Sequence, residues 1–231
     1  MKYVDAHCHI NSYNPDTGIH IVVTNAAKID KWANVINCAD ALNVYGAIGV
    51  HPWHINNLPE KWFDIMAKTL GQNPGIMVGE IGLDKNAPDI DAQIDIFVAQ
   101  MLLAHKFNRV AHIHCVGAWD KIGHILNLIH NTMPPALIFH GFDGKMANPN
   151  TLCDKYNAYF SFGPAICDES RQRVKDALKT IPINHILSES DSDNPRNVIS
   201  VVDSMANILD MPVADLTEII YNNINRLVQN G

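Results

Sequence analysis

Ile76-Met77-Val78-Gly79-Glu80-Ile81-Gly82-Leu83-Asp84 sets a carboxylate inside an otherwise apolar, β-branched run. A buried carboxylate is costly unless it is paired or bound to a cation. The run therefore reads as an interior strand that delivers one working polar group at its end. Downstream, Ile90, Ile94, Phe97, Val98, Met101 and Leu102 recur at spacings of three and four, which predicts an amphipathic helix. A second apolar run follows at 110–114. Strand, helix and strand in that order make a parallel crossover unit.

The same alternation extends in both directions. Short apolar runs lie at 3–8, 19–24, 45–50, 76–81, 110–114, 136–140, 158–162 and 185–188. Val174, Ala177, Leu178 and Ile181 mark another helix face. Leu216, Ile219, Ile220, Ile224, Leu227 and Val228 mark a terminal helix able to close an outer ring. Eight strand–helix repeats in 231 residues predict a TIM-type (β/α)8 barrel spanning 1–231 as one domain. An open doubly wound sheet is the alternative architecture, but no Gly-x-Gly-x-x-Gly follows the first strand.

Composition narrows the function classes. Seventeen basic against 24 acidic residues give a formal charge of −7, which argues against a broad basic surface for nucleic acid or anionic membrane. Any phosphate must be held locally. The five cysteines are scattered without a Cys-x-x-Cys pair, so a disulfide framework is not expected. No apolar run reaches the ~18 residues of a membrane span, and the opening segment has no long apolar stretch of a secretion signal. The expected location is cytoplasmic, with no membrane partner.

In a β/α barrel the working residues stand at the C-terminal ends of the strands. The first run ends His7-Cys8-His9, and residues i and i+2 of a strand point to one side, so both imidazoles can reach one ion. Strand four contributes Glu80, for which a structural Glu–Arg pair is the alternative, with Gly79 and Gly82 leaving room around it. Strand five ends His112-Ile113-His114-Cys115, strand six Phe139-His140-Gly141, and strand eight runs into Glu189-Ser190-Asp191. His112 lies one pleat before His114 and is expected inside the barrel. Nitrogen and carboxylate ligands of this kind suit divalent ions. Six of them (His7, His9, Glu80, His114, His140 and Asp191) exceed the needs of one tetrahedral zinc, so two ions bridged by a carboxylate are expected. With an aspartate able to take a proton, hydrolysis is the expected reaction.

Further candidates are less constrained. His51 follows strand three and faces the same mouth, where it would touch substrate. Asp84 would orient a ligand histidine or cap a helix, and Lys145 would offer a positive charge to phosphate. His20, His54, His105, His124, His130 and His185 read as structural or surface residues. A non-catalytic, ion-holding protein is the reading from a different class, but a closed structural site normally uses four ligands.

Taken in order, Asp5-Ala6-His7-Cys8-His9, Gly49-Val50-His51-Pro52, Gly79-Glu80-Ile81-Gly82-Leu83-Asp84, His114-Cys115, His140-Gly141-Phe142 and Glu189-Ser190-Asp191 resemble the TatD-related deoxyribonuclease family of the amidohydrolase superfamily. The resemblance covers nearly the whole chain, and the Gly-Glu-Ile-Gly-Leu-Asp hexapeptide is its most specific piece. It implies that His7, His9 and Asp191 hold one ion, that His114 and His140 hold another, and that Glu80 bridges them. It further implies that Asp191 accepts the proton of the attacking water. The implied cofactors are two divalent ions (Zn, Mg, Mn or Ni), and the implied activity is 3′–5′ exonucleolytic cleavage of DNA ends or short oligonucleotides. Hydrolysis of another ester, lactone, amide or small phosphoester, including a D-aminoacyl-tRNA ester, is the alternative. The chain departs from the family where an arginine is usual two residues after the strand-five histidine and Val116 stands instead. It departs again after Asp191, where Ser192-Asp193 replaces Ala-Pro, and its loop at 11–18 is short. The oligomeric state is left open.

Overall fold

A computed structural model describes residues 1–12, 14 and 17–228, so part of the loop at 11–18 lies outside the described residues. The described residues form eight strands: β1 (Val4–Cys8), β2 (Ile21–Ala26), β3 (Val44–Ile48), β4 (Met77–Asp84), β5 (Ala111–Val116), β6 (Leu137–Phe139), β7 (Ala158–Phe162) and β8 (Ile186–Ser188). Every neighbouring pair from β1 to β8 is parallel and in sequence order. The barrel is nearly closed. Its seam is held by Ser188 Oγ donating to Val4 O at 2.8 Å and by Ser190 N donating to Asp5 Oδ1 at 2.9 Å. Beyond the strand ends, Asp191 N donates to His7 O and His9 N to Ser192 O. The expected single-domain barrel is what forms.

Helices α1 (Trp32–Cys38), α2 (Trp62–Gln72), α3 (Ile90–Lys106), α4 (Trp119–Leu128), α5 (Pro149–Tyr156) and α6 (Gln172–Thr180) cover successive crossovers from β2 to β8. Among the described residues the β1–β2 crossover carries no α-helix. After β8 come α7 (Val198–Ile208) and α8 (Val213–Val228). The terminal α8 packs on β1 and β8 and buries Leu216, Ile220, Ile224 and Leu227, so it closes the ring as expected. No helix among the described residues is long and apolar enough to cross a membrane.

Three local expectations need correction. Strand β4 continues past residue 81 to Asp84, so Asp84 is not a helix cap; Asp89 caps α3 by accepting from Ala92 N. The glycines of β4 make room for β5 rather than for Glu80. A Cβ on Gly79 would fall 2.5 Å from His112 Cβ, and one on Gly82, whose φ is +148°, 1.9 Å from His114 O. Finally, the core-facing side of α3 is rotated from the apolar stripe read in the sequence. Leu102 is exposed, whereas Gln93, Phe97, Gln100, Met101 and Ala104 are buried.

The two buried glutamines are satisfied by the strand ends that they hold. Gln100 Oε1 accepts from Val50 N at 2.7 Å, and its Nε2 donates to Val50 O at 3.1 Å. Gln93 Oε1 accepts from Asp84 N, and its Nε2 donates to the carbonyls of Asp84, Ala87 and Pro88. A buried amide with both ends paired costs little and fixes direction. Helix α3 thereby fixes the backbone beside His51 and at Asp84.

Candidate functional site

The side chains brought together at the C-terminal mouth of the barrel are organised around Glu80, which is 4% exposed. Its two oxygens face different histidine groups. Oε1 lies 2.8 Å from His140 Nε2, 3.0 Å from His114 Nδ1 and 3.3 Å from His51 Nε2. Oε2 lies 3.7 Å from both His7 Nε2 and His9 Nε2. Asp191 Oδ1 completes the second group, at 3.4 Å from His9 Nε2 and 3.8 Å from His7 Nε2. All six residues expected as metal ligands therefore stand at one place, with His51 added.

The nitrogens within each group face one another. His7 Nε2 and His9 Nε2 are 3.3 Å apart, and His114 Nδ1 and His140 Nε2 are 3.0 Å apart. Two nitrogens at about 2.0–2.1 Å from one tetrahedral ion would be about 3.3–3.4 Å apart. Facing pairs of nitrogens with a carboxylate between them fit the donor chemistry of divalent metal sites. Residues able to hold an ion form the sets His7–His9–Asp191, His7–Glu80–His140 and His51–Glu80–His114.

His51 differs from the others in its hydrogen bonding. Its Nδ1 accepts from Trp53 N at 3.1 Å, so the neutral ring carries its proton on Nε2. That proton is aimed at Glu80 Oε1, which makes His51 a donor at the mouth rather than a free lone pair. His9 is the reverse. Its Nδ1 lies 3.0 Å from Asn25 O, a carbonyl that can only accept, so Nδ1 carries the proton and Nε2 is left for a ligand bond.

Outer contacts hold the ring orientations. Asp84 Oδ2 sits 3.3 Å from His114 Nε2 and accepts from Trp53 Nε1 at 2.7 Å. Glu189, fully buried, accepts from Gly141 N at 2.7 Å and lies 3.6 Å from His140 Nδ1. Asp5 Oδ1 accepts from His7 N and Ser190 N, joining β1, which carries His7, to the segment after β8 that carries Asp191. Sequence reasoning passed over Asp5, Glu189 and Trp53 as working residues, although all three lie inside or beside the motifs quoted above. His112 is buried in the barrel as expected, against Gly79 and 6.1 Å from the His7 ring. Lys145 is not brought to this cluster: its amine pairs with Asp143, and its side chain is half exposed beside α4 and α5.

Burial and mutual charge set the protonation of these side chains. Burial would raise the Glu80 carboxyl, but His140 and the hydrogen bonds from His114, His140 and His51 outweigh it and hold it well below the ordinary range. Burial would lower His140, yet Glu80 and Glu189 push it well above its usual value. His9 is raised against its burial by Asp191 and Glu80, and Asp191 is lowered chiefly by its bond from His9. Burial, reinforced by His140, drives His7 well down. Raised histidines bind protons that a metal must displace. Metal binding at about pH 6 is thus expected to release protons from His140 and His9, and affinity should climb with pH until both rings are neutral. Calorimetric titration with zinc in buffers of differing ionisation enthalpy checks this; heats that do not depend on the buffer would contradict it.

Comparison with known proteins places this chain in a family. The family described as TatD related DNase matches residues 4–229. A metal-dependent hydrolase of Methanocaldococcus jannaschii is 25% identical over 247 residues, covering 96% of this chain and 95% of that one. The 3′-5′ ssDNA/RNA exonuclease TatD of Enterobacter lignolyticus is 29% identical over 152 residues, covering 64% of this chain and 57% of its own length. Among solved structures, the TatD homologue YjjV from Escherichia coli K12 aligns over 97% of both chains with a TM-score of 0.87 at 20% identity, a likeness of fold. The match over nearly the full chain and the assembled His–Glu–Asp cluster agree, and the chain belongs to the TatD-related DNase family of metal-dependent hydrolases.

Proposed function

We propose that the protein is a two-metal phosphodiesterase, the whole barrel acting as one hydrolase domain on DNA 3′ ends or short oligonucleotides. The observation that carries this reading is the division of Glu80: one oxygen toward His7 and His9, the other toward His114 and His140. His7, His9 and Asp191 would hold one divalent ion and His114 with His140 the other, Glu80 being shared. Bound ions would supply Lewis acidity toward a phosphoryl oxygen and would acidify water near neutral pH. Asp191, half exposed at the mouth and ionised, accepts the proton of the attacking water. His51, whose Nε2 proton faces Glu80 Oε1, would donate to a substrate oxygen at the mouth, and Asp84 and Glu189 would keep His114 and His140 in orientation. Lys145 has no part in this reading. Its five cysteines, all free, suit a reducing compartment such as the cytoplasm.

A second reading keeps the chemistry and changes the substrate to a small phosphoester, another ester, a lactone or an amide. Val116, at the end of β5, favours it by bringing no charge to the mouth. One experiment separates the two. Purified protein loaded with Mg²⁺, Mn²⁺ or Zn²⁺ is incubated with single-stranded DNA and with a panel of small esters. We expect DNA to be shortened from its 3′ end. DNA left intact by every metal form, with turnover of a small ester, would replace the first reading by the second.

A further inference from the structure

Beside His9 the mouth opens into a cavity of about 300 Å³, whose walls include Asn11, Asn25, Lys28, Lys31 and Asn34. Lys28 also borders a neighbouring cavity of about 440 Å³ that continues past Val50 to His54, Asn57 and Leu58. The two hollows thus share one lysine and begin at a candidate metal ligand. No carboxylate lines the first, and Asp30 alone lines the second. Among the described residues neither lysine makes an ion pair, although the chain carries seven more acidic than basic groups. The loop that presents them is fixed, because His51 N donates to Ala27 O at 2.9 Å and Lys31 N to Lys28 O at 3.0 Å.

Unpaired ammonium groups and carboxamides in a hollow lined by no carboxylate, as the first one is, suit an anion that is not itself the reacting group. We propose that the cleft running from His9 over Lys28 and Lys31 is a subsite for the backbone phosphates next to the bond being cut. This rests on the nuclease reading and deepens it, since it makes the preferred substrate a strand carrying a second phosphate rather than an isolated diester. It also locates the local positive charge that the acidic chain requires. That charge lies on the β2 side of the mouth, across from Val116.

The test uses the full chain loaded with Mn²⁺ and a 5′-fluorescein-labelled tetrathymidylate with phosphorothioate linkages. Binding is followed by anisotropy across a salt series for the wild type, Lys28→Gln/Lys31→Gln and Lys28→Arg/Lys31→Arg. The Gln pair is expected to bind about tenfold more weakly, with the slope of log affinity against log salt reduced by about 1.4, or about 0.7 per lost phosphate contact on a single strand. The Arg pair should restore both. Turnover of bis(p-nitrophenyl) phosphate, which has one phosphate, should be the same in all three. A wild type that does not bind the probe, or a Gln pair with unchanged affinity and slope, overturns the subsite. Failure of the nuclease reading shows separately, as wild-type protein that leaves DNA intact with every metal.

Discussion

Glu80→Ala is expected to bind at least one ion fewer than the wild type and to lose nearly all hydrolytic activity. Glu80 faces five histidines with two oxygens, so on the two-ion reading its removal would withdraw a ligand from both groups at once. Loss of outer partners alone costs metal sites about 10–100-fold in affinity, and loss of a shared ligand should cost more. The vacancy also changes protonation. Glu80 is the foremost influence raising His140, so without it burial lowers that ring toward neutrality. Glu80→Gln separates the two consequences, since it keeps the shape and one acceptor oxygen while removing the charge. Metal content by mass spectrometry, read beside circular dichroism, distinguishes a lost ligand from a lost fold. Two ions retained by the folded Ala variant would remove the bridging role.

The residues that contact Glu80 were largely legible because each announces itself chemically. A His-x-His after a strand, and a carboxylate inside an apolar strand, have few inexpensive explanations. Strand alternation gave the barrel, and the barrel put those residues at one mouth. What stayed hidden depends on partners outside the element that carries the residue. Gln93 and Gln100 look like breaks in an apolar stripe until their amides are seen bonded to Asp84 and Val50. Periodicity counts hydrophobic residues and cannot recognise a buried amide whose partners lie at and beyond the ends of β3 and β4. The same holds for Glu189, which accepts from Gly141 N just past β6, and for Asp5, which accepts from Ser190 N where the chain after β8 meets β1. For His51 the sequence suggested a substrate contact, and its tautomer, set by Trp53 N, supports that reading over a ligand one. Lys145 shows the opposite failure. Proximity to His140 in sequence suggested proximity to the site, but Asp143, two residues away, takes its amine.

Asp191→Asn is expected to retain the ion proposed for His114, His140 and Glu80, while turnover falls about 10²–10⁴-fold, the usual worth of a positioned proton acceptor. The position itself is demanding. Asp191 has φ +47°, a left-handed conformation that Asp and Asn tolerate better than most residues, and its N–H donates to His7 O across the barrel seam. Asparagine preserves that backbone and an oxygen near His9, so the substitution tests charge and proton acceptance without remodelling the mouth. His9 supplies an independent readout. The Asp191 carboxylate is the foremost influence holding its imidazole up, so in the variant that ring should titrate lower, visible in its NMR titration in metal-free protein. The pH profile gives the sign of the kinetic effect. A carboxyl with a depressed pKa is ionised and able to accept a proton above that value, so activity falls as acid protonates it, and the limb due to Asp191 should vanish in the Asn variant. A variant with full turnover would show that the proton goes elsewhere, and an unshifted His9 would show that the 3.4 Å contact between them carries no charge coupling.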